Sequence, residues 1–122
     1  MIEELLACRR FAVVGVSANT EKYGWIVFEN LCSRGYEAYA VNPRHTEVHG
    51  HPCVASLADL PEPPEVVVTV VPPAVTRETV RQALALGVRY FWMQPGSEDE
   101  EAIAAAEAAG ARVVHHQCLM LH

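Results

Sequence analysis

The chain has 122 residues, 51% of them hydrophobic and 20% charged, with a formal net charge of -6. That size and composition predict one folded domain with its own core and exclude disorder as a description of the whole. The acidic balance, with Lys22 the only lysine, argues against nucleic-acid binding, and no run of about 18 apolar residues is present to span a membrane. The opening Met1-Ile2-Glu3-Glu4 lacks the positive segment of a signal peptide. Cys8, Cys32, Cys53 and Cys118 are scattered without a CxxC, so a reduced, cytoplasmic setting is expected.

A short helix is predicted over Met1 to Ala7, followed by a strand over Phe11 to Val16. The next helix is marked by Gly24, Val27, Phe28, Leu31 and Cys32, at the spacing of one helical face, and a strand follows over Glu37 to Val41. The proline- and histidine-rich stretch Asn42 to Pro64 reads as a long connection. It holds a brief edge strand near Cys53 and a helical turn capped by Ser56, with Asp59 three residues on. Val66 to Val71 is apolar on both alternating faces, as a central parallel strand requires. A helix carrying Val80, Ala83, Leu84 and Gly87, and a strand over Tyr90 to Met93, come next. Ser97-Glu98-Asp99-Glu100 reads as a capping box opening a third long helix through Ile103 and Ala106, and Arg112 to His115 forms the last strand. Gly35, Gly87 and Gly110 each end a helix and lead into a strand, the rhythm of a parallel α/β sheet. The expected fold is a doubly wound, Rossmann-like α/β domain with a mostly parallel sheet of five or six strands in the order 2-1-3-4-5.

In such a sheet, ligands bind beyond the carboxyl ends of the strands, where the strand order reverses. The loop from Gly15 to Gly24 links a strand to a helix N-terminus, whose free N–H groups suit phosphate. Gly15 and Gly24 permit close backbone approach, Ser17, Asn19 and Thr20 can donate or cap, and Lys22 adds a point charge. There is no GxGxxG. The second strand ends in Asn42-Pro43-Arg44, without the acid that holds the ribose of NAD. An arginine there fits a phosphorylated ribose, either the 2′-phosphate of NADP or the 3′-phosphate of coenzyme A.

The strings Phe-Ala-Val-Val-Gly-Val-Ser (11–17), Arg-Gly-Tyr-Glu-Ala-Tyr-Ala-Val-Asn-Pro-Arg (34–44) and Ser-Leu-Ala-Asp-Leu-Pro (56–61) resemble the stand-alone CoA-binding protein family. That family is similar to the N-terminal CoA-binding domain of the succinyl-CoA synthetase α subunit. Val-Val-Pro-Pro-Ala-Val (70–75), Phe-Trp-Met-Gln-Pro-Gly (91–96) and Val-Val-His-His-Gln-Cys-Leu-Met (113–120) extend the likeness over almost the whole chain. The resemblance implies a single domain over residues 1–122 that binds coenzyme A or an acyl-CoA as its small-molecule nucleotide ligand. It implies that Gly15, Val16, Ser17, Ala18, Lys22, Tyr23 and Gly24 surround the diphosphate, and that Asn42, Pro43 and Arg44 lie by the ribose and its 3′-phosphate. Val71, Pro72 and Pro73 would pack on the adenine or the start of the pantetheine, with Gln94 and Gly96 on the far side. The synthetase's phosphorylated histidine belongs to a domain outside the likeness, so no catalytic step is expected. The competing readings are an NADP-type module or small oxidoreductase, and a regulatory interaction protein that has lost its ligand. A protein partner or homo-oligomer is left open.

His45, His49, His51 and Cys53 match no standard metal-site spacing, and these histidines read as solvated loop residues; His115, His116, Cys118 and His122 near the end read as a strand end of mixed exposure. Cys118 reads as a core or edge cysteine rather than a thiol that meets the coenzyme, Cys8 and Cys32 read as core, and Trp92 as a buried strand residue. Tyr23 and Trp25 open a helix where either can cover a ligand or a partner. Glu98 to Glu101 reads as a solvated acidic face.

Overall fold

The computed structural model describes residues 1–122. Seven strands form one sheet: β1 (Arg10–Val14), β2 (Glu37–Val41), β3 (Glu47–Val48), β4 (His51–Val54), β5 (Val66–Thr69), β6 (Tyr90–Met93) and β7 (Arg112–His115). Their order is β3-β4-β2-β1-β5-β6-β7, and every pairing is parallel except the β3–β4 hairpin. Phe11, Val13, Val66 and Val68 face one side, packing with Val27, Phe28 and Leu31 of α2 (Tyr23–Ser33) and Leu5 of α1 (Ile2–Leu6). Ala12, Val67, Phe91 and Met93 face the other, against Val80 and Ala83 of α3 (Pro73–Ala85) and Ala102 and Ala106 of α4 (Glu100–Ala108). Burial on both faces explains the unbroken apolar runs of β1, β5 and β6. Trp92 is fully buried, its indole Nε1 donating to Gln117 O at 2.9 Å.

The three helix-ending glycines behave as the sequence predicts. After α2, Tyr36 N donates to Leu31 O and Gly35 N to Cys32 O, and the same paired bonds recur at Gly87–Val88 and Gly110–Ala111.

The sheet has seven strands where five or six are predicted, because the stretch after Asn42 holds a complete hairpin rather than one edge strand. His49 and Gly50 make its two-residue turn. Pro52 hid it, since proline demotes a strand in a sequence reading, yet here it stands exposed opposite Glu47 of the edge strand β3, one residue before the pairing with β2 begins at Cys53. β1 and β5 end at Val14 and Thr69, two residues earlier than predicted, which frees Gly15, Val16, Val70 and Val71 to shape the loops. Ser56 precedes a short 3₁₀ turn (Leu57–Asp59) without capping its backbone; its hydroxyl donates to Asp59 Oδ2 instead. Cys8 and Cys32 are half-buried rather than core. Burial pushes both thiols up, aided by Glu65 and Glu4 at Cys8 and by Glu29 at Cys32.

Candidate functional site

From β1 the chain crosses to β2 on one side, and the later strands build outward from β5 on the other, so the order reverses between β1 and β5. Past the strand ends the ladder continues: Gly15 N donates to Val41 O at 2.9 Å, and Val70 N to Val14 O at 2.9 Å. The loop after β1 then turns into α2 with almost no clearance. A Cβ on Gly15 would lie 2.3 Å from Val70 O, and one on Gly24 would lie 2.0 Å from Gly15 O. The glycines thus serve first to bring the chain against itself, not only to admit a ligand. Within the loop, Ser17 Oγ accepts from Asn19 N and Asn19 Oδ1 accepts from Glu21 N. The amides of Val16, Ser17, Ala18, Tyr23 and Gly24 make no hydrogen bond within the chain. They gather where a helix presents its partial positive end. Val16 offers only its backbone, since its side chain is fully buried in the core, while Lys22 is exposed and unpaired at the N-cap.

Across β2, Asn42 Nδ2 donates to Val16 O at 2.7 Å and Asn42 Oδ1 accepts from Arg44 N at 2.9 Å. The Asn42 side chain thus ties two loops together. Arg44 is exposed and its guanidinium makes no hydrogen bond or ion pair. Beside it Pro43, Val14, Val41, Leu57 and Val75 line a largely apolar cleft of about 160 Å³ between the strand ends and α3. Glu78 stands at its edge, where hydrogen bonds from Arg81 hold its carboxyl down at about 2.

On the β5 side, Val71, Pro72, Pro95 and Gly96 border an open cleft of about 330 Å³. Pro72 and Pro73 are exposed and begin α3, a position for which proline's fixed φ is suited, so helix initiation alone accounts for the pair. Gln94 is only 3% exposed. Its Oε1 accepts from Leu119 N at 2.7 Å and its Nε2 donates to Cys118 Sγ at 3.4 Å, so it anchors the final segment rather than facing the crevice freely. Tyr23, 64% exposed, shares a small cavity of about 160 Å³ with Gln94, Pro95 and half-buried Cys118.

A family match covers residues 9–122 under the description CoA binding domain. The chain belongs to that family. It is 27% identical, over 97% of its length, to acetate–CoA ligase (ADP-forming) I of Archaeoglobus fulgidus, and 26% identical over 98% to the α subunit of acetate–CoA ligase (ADP-forming) II of Pyrococcus furiosus. It spans 19% and 28% of the length of those two proteins. The structure of a conserved hypothetical protein from Pyrococcus furiosus superposes with a TM-score of 0.87 at 39% identity, covering 93% of this chain and 97% of that one. The resemblance and the doubly wound fold expected from the sequence both hold.

Several groups were misjudged by sequence. Ser97 does not open α4. It is 1% exposed, with Oγ 2.8 Å from Gln94 O, 3.0 Å from Thr69 O and 2.9 Å from Thr69 Oγ1, locking the β6 loop to the end of β5. The cap is Asp99, which accepts from Ala102 N at 2.9 Å and from Arg77 Nε and a terminal guanidinium nitrogen at 3.0 and 2.9 Å. Nor is Glu98 to Glu101 wholly a solvated face. Asp99 is 8% exposed, and half-buried Glu98 accepts from Gly96 N at 2.7 Å and His116 N at 3.3 Å. Burial pushes the Glu98 carboxyl up, but these amides and His116 outweigh it and leave it below the usual range.

Arg77, then the Ala102 amide, holds Asp99 below its ordinary 3.8. A depressed carboxyl stabilises the fold above its unfolded value, and that contribution is lost as pH falls through the lower, folded value. Denaturation midpoints measured across a pH series are expected to fall below about pH 4. Asp99→Asn keeps an oxygen for the cap but not the ion pair, and is expected to flatten part of that acid limb.

The histidines are not simply solvated. His45 and His51 are half-buried, and His49 Nε2 is bonded to Ala18 O at 2.7 Å. His115 Nδ1 lies 2.6 Å from His116 Nδ1, and His122 Nε2 lies 2.9 Å from Gln117 Oε1. No three His, Cys, Asp or Glu side chains converge as a cation site. No helix is long and apolar enough to cross a membrane.

Proposed function

We propose that this chain binds coenzyme A or an acyl-CoA across the reversal point and performs no chemical step itself. The carrying observation is the set of unpaired amides between Val16 and Gly24 at the strand ends, together with an apolar cleft lined by Val14, Val41 and Pro43 and the unpaired Arg44 that follows Pro43 in the chain. The amides match a diphosphate, the cleft of Val14, Val41, Pro43 and Leu57 an adenine, and the guanidinium a 3′-phosphate. The cavity by Tyr23 and Cys118 suits the thiol-bearing arm. Binding without catalysis is supported by how the polar groups around the crevice are spent: Asn42, Ser97, Gln94 and Glu98 all hold backbone in position.

Calorimetry with CoA, 3′-dephospho-CoA, NADP and NAD tests this. CoA is expected to bind best. Removing the 3′-phosphate is expected to cost roughly 10-fold or more in affinity, the worth of a charge-assisted hydrogen bond. Arg44→Ala should lose the same factor for CoA and almost none for 3′-dephospho-CoA. Binding of NADP alone would replace the proposal with a nicotinamide-nucleotide module, and silence with all four ligands with a protein that has lost its ligand.

A further inference from the structure

The tip of the β3–β4 hairpin reaches the loop that follows β1. His49 and Gly50 both have positive φ, 47° and 83°, the signature of a two-residue turn for which Asn-Gly is the preferred pair. Histidine tolerates that conformation but the turn does not call for an imidazole. The ring instead makes two contacts outside the hairpin. Its Nε2 is 2.7 Å from Ala18 O, and its edge meets the Trp25 ring at 4.6 Å between centroids. A carbonyl only accepts, so Nε2 carries the hydrogen.

The N–H of the same peptide unit, that of Asn19, donates to Ser17 Oγ at 3.0 Å. The Ala18–Asn19 peptide is therefore held at both ends, its carbonyl by the hairpin and its N–H by the loop. If that plane turned over, a carbonyl would replace an N–H among the free amides of Ser17 and Ala18, and a partial negative charge would enter a site suited to anions. With the carbonyl committed to His49, the loop is organised before a ligand arrives, which lowers the cost of ordering it on binding.

We infer that His49 is a positioning residue for the anion-binding loop: it fixes the Ala18–Asn19 peptide so that the loop amides meet the diphosphate. This rests on the coenzyme A reading above. It also gives the hairpin a role that its sequence, read as loop, conceals.

Two substitutions separate positioning from stability. His49→Asn restores the preferred turn pair, but its shorter side chain cannot reach Ala18 O from the place of Nε2. His49→Gln sets an amide nitrogen at about the reach of Nε2. His49→Asn is expected to resist denaturant at least as well as wild type. It should bind CoA, 3′-dephospho-CoA and ADP each roughly three- to ten-fold more weakly, the worth of one hydrogen bond, with adenosine unaffected. His49→Gln should recover most of that loss. Wild type that binds CoA, with an unchanged affinity in His49→Asn, overturns this inference alone. The same holds for a loss that extends equally to adenosine, or one that His49→Gln fails to recover. Wild type that does not bind CoA overturns both this inference and the reading it rests on.

Discussion

Gly15→Ala is expected to lower stability by roughly 3–5 kcal/mol, because strain at positive φ and overpacking each cost about 1–3 kcal/mol and act together here. Gly15 has φ 104°, and its Cβ would meet the Val70 carbonyl oxygen at 2.3 Å and Val71 Cγ1 at 2.7 Å. The first of these is backbone just past the end of β5, held by the Val70 N–H bond to Val14 O, and cannot swing aside as a side chain would. Against a total stability of about 5–15 kcal/mol for a domain, that is a large fraction. Gly24→Ala tests a second close approach, on the other flank of Gly15. Alanine gains up to about 1 kcal/mol in a helix over glycine. Its Cβ, however, would lie 2.0 Å from Gly15 O, so overpacking is expected to win and leave a net loss of about 1–2 kcal/mol. Gly15→Ala presses the loop after β1 against Val70 and Val71, and Gly24→Ala presses α2 against Gly15 O. Both load the backbone of Gly15, so the double variant should depart from the sum, a coupling that a double-mutant cycle in denaturant reads directly. Both variants should also weaken CoA binding under conditions where they remain folded, since Gly15→Ala shifts the start of the loop that carries the Val16 to Ala18 amides and Gly24→Ala shifts the helix start that carries those of Tyr23 and Gly24. A Gly24→Ala protein more stable than wild type, as helix propensity alone predicts, would show that the contact yields.

These two glycines mark the border of what the sequence discloses. Apolar runs and helix-ending glycines suffice for the parallel core, since burial on both faces of β1, β5 and β6 leaves a direct trace in residue type. Ser97 and Asp99 were confused because both are good caps two residues apart. Only the tertiary fold decides that Thr69 lies against Ser97 and Arg77 against Asp99. The hairpin escaped notice for a similar reason: its strands have two and four residues, and the value of His49 lies in a contact 31 positions away. Asn42 and Gln94 were legible as residues near the crevice but not in what they bind. A side-chain amide suits a ribose as well as a backbone carbonyl, and the choice depends on which loop folds over it.

Gln94 supplies the sharper test, because anchoring and ligand contact make opposite demands on it. Its carbonyl oxygen is the partner of the Leu119 amide, and the Leu119 side chain is fully buried against the core that holds Trp92. Gln94→Met keeps much of the volume but removes the acceptor, leaving a buried N–H unpaired at a cost of about 1–3 kcal/mol. Gln94→Ala adds a cavity and is expected to reach a total loss of about 2–4 kcal/mol. The loss should begin locally: hydrogen exchange at the Leu119 amide is expected to accelerate more than at β1 or β5, because the segment from Gln117 onward is held chiefly by Gln94, by the Trp92 Nε1 bond to Gln117 O, and by Leu119 itself. If Gln94 were instead a contact for the ligand, Gln94→Met would keep its stability and lose affinity for CoA. The anchored geometry requires the reverse under conditions where the variant stays folded: a clear shift in the denaturation midpoint, early exchange at Leu119, and a CoA affinity changed by less than about three-fold, below the roughly three- to ten-fold worth of one direct hydrogen bond.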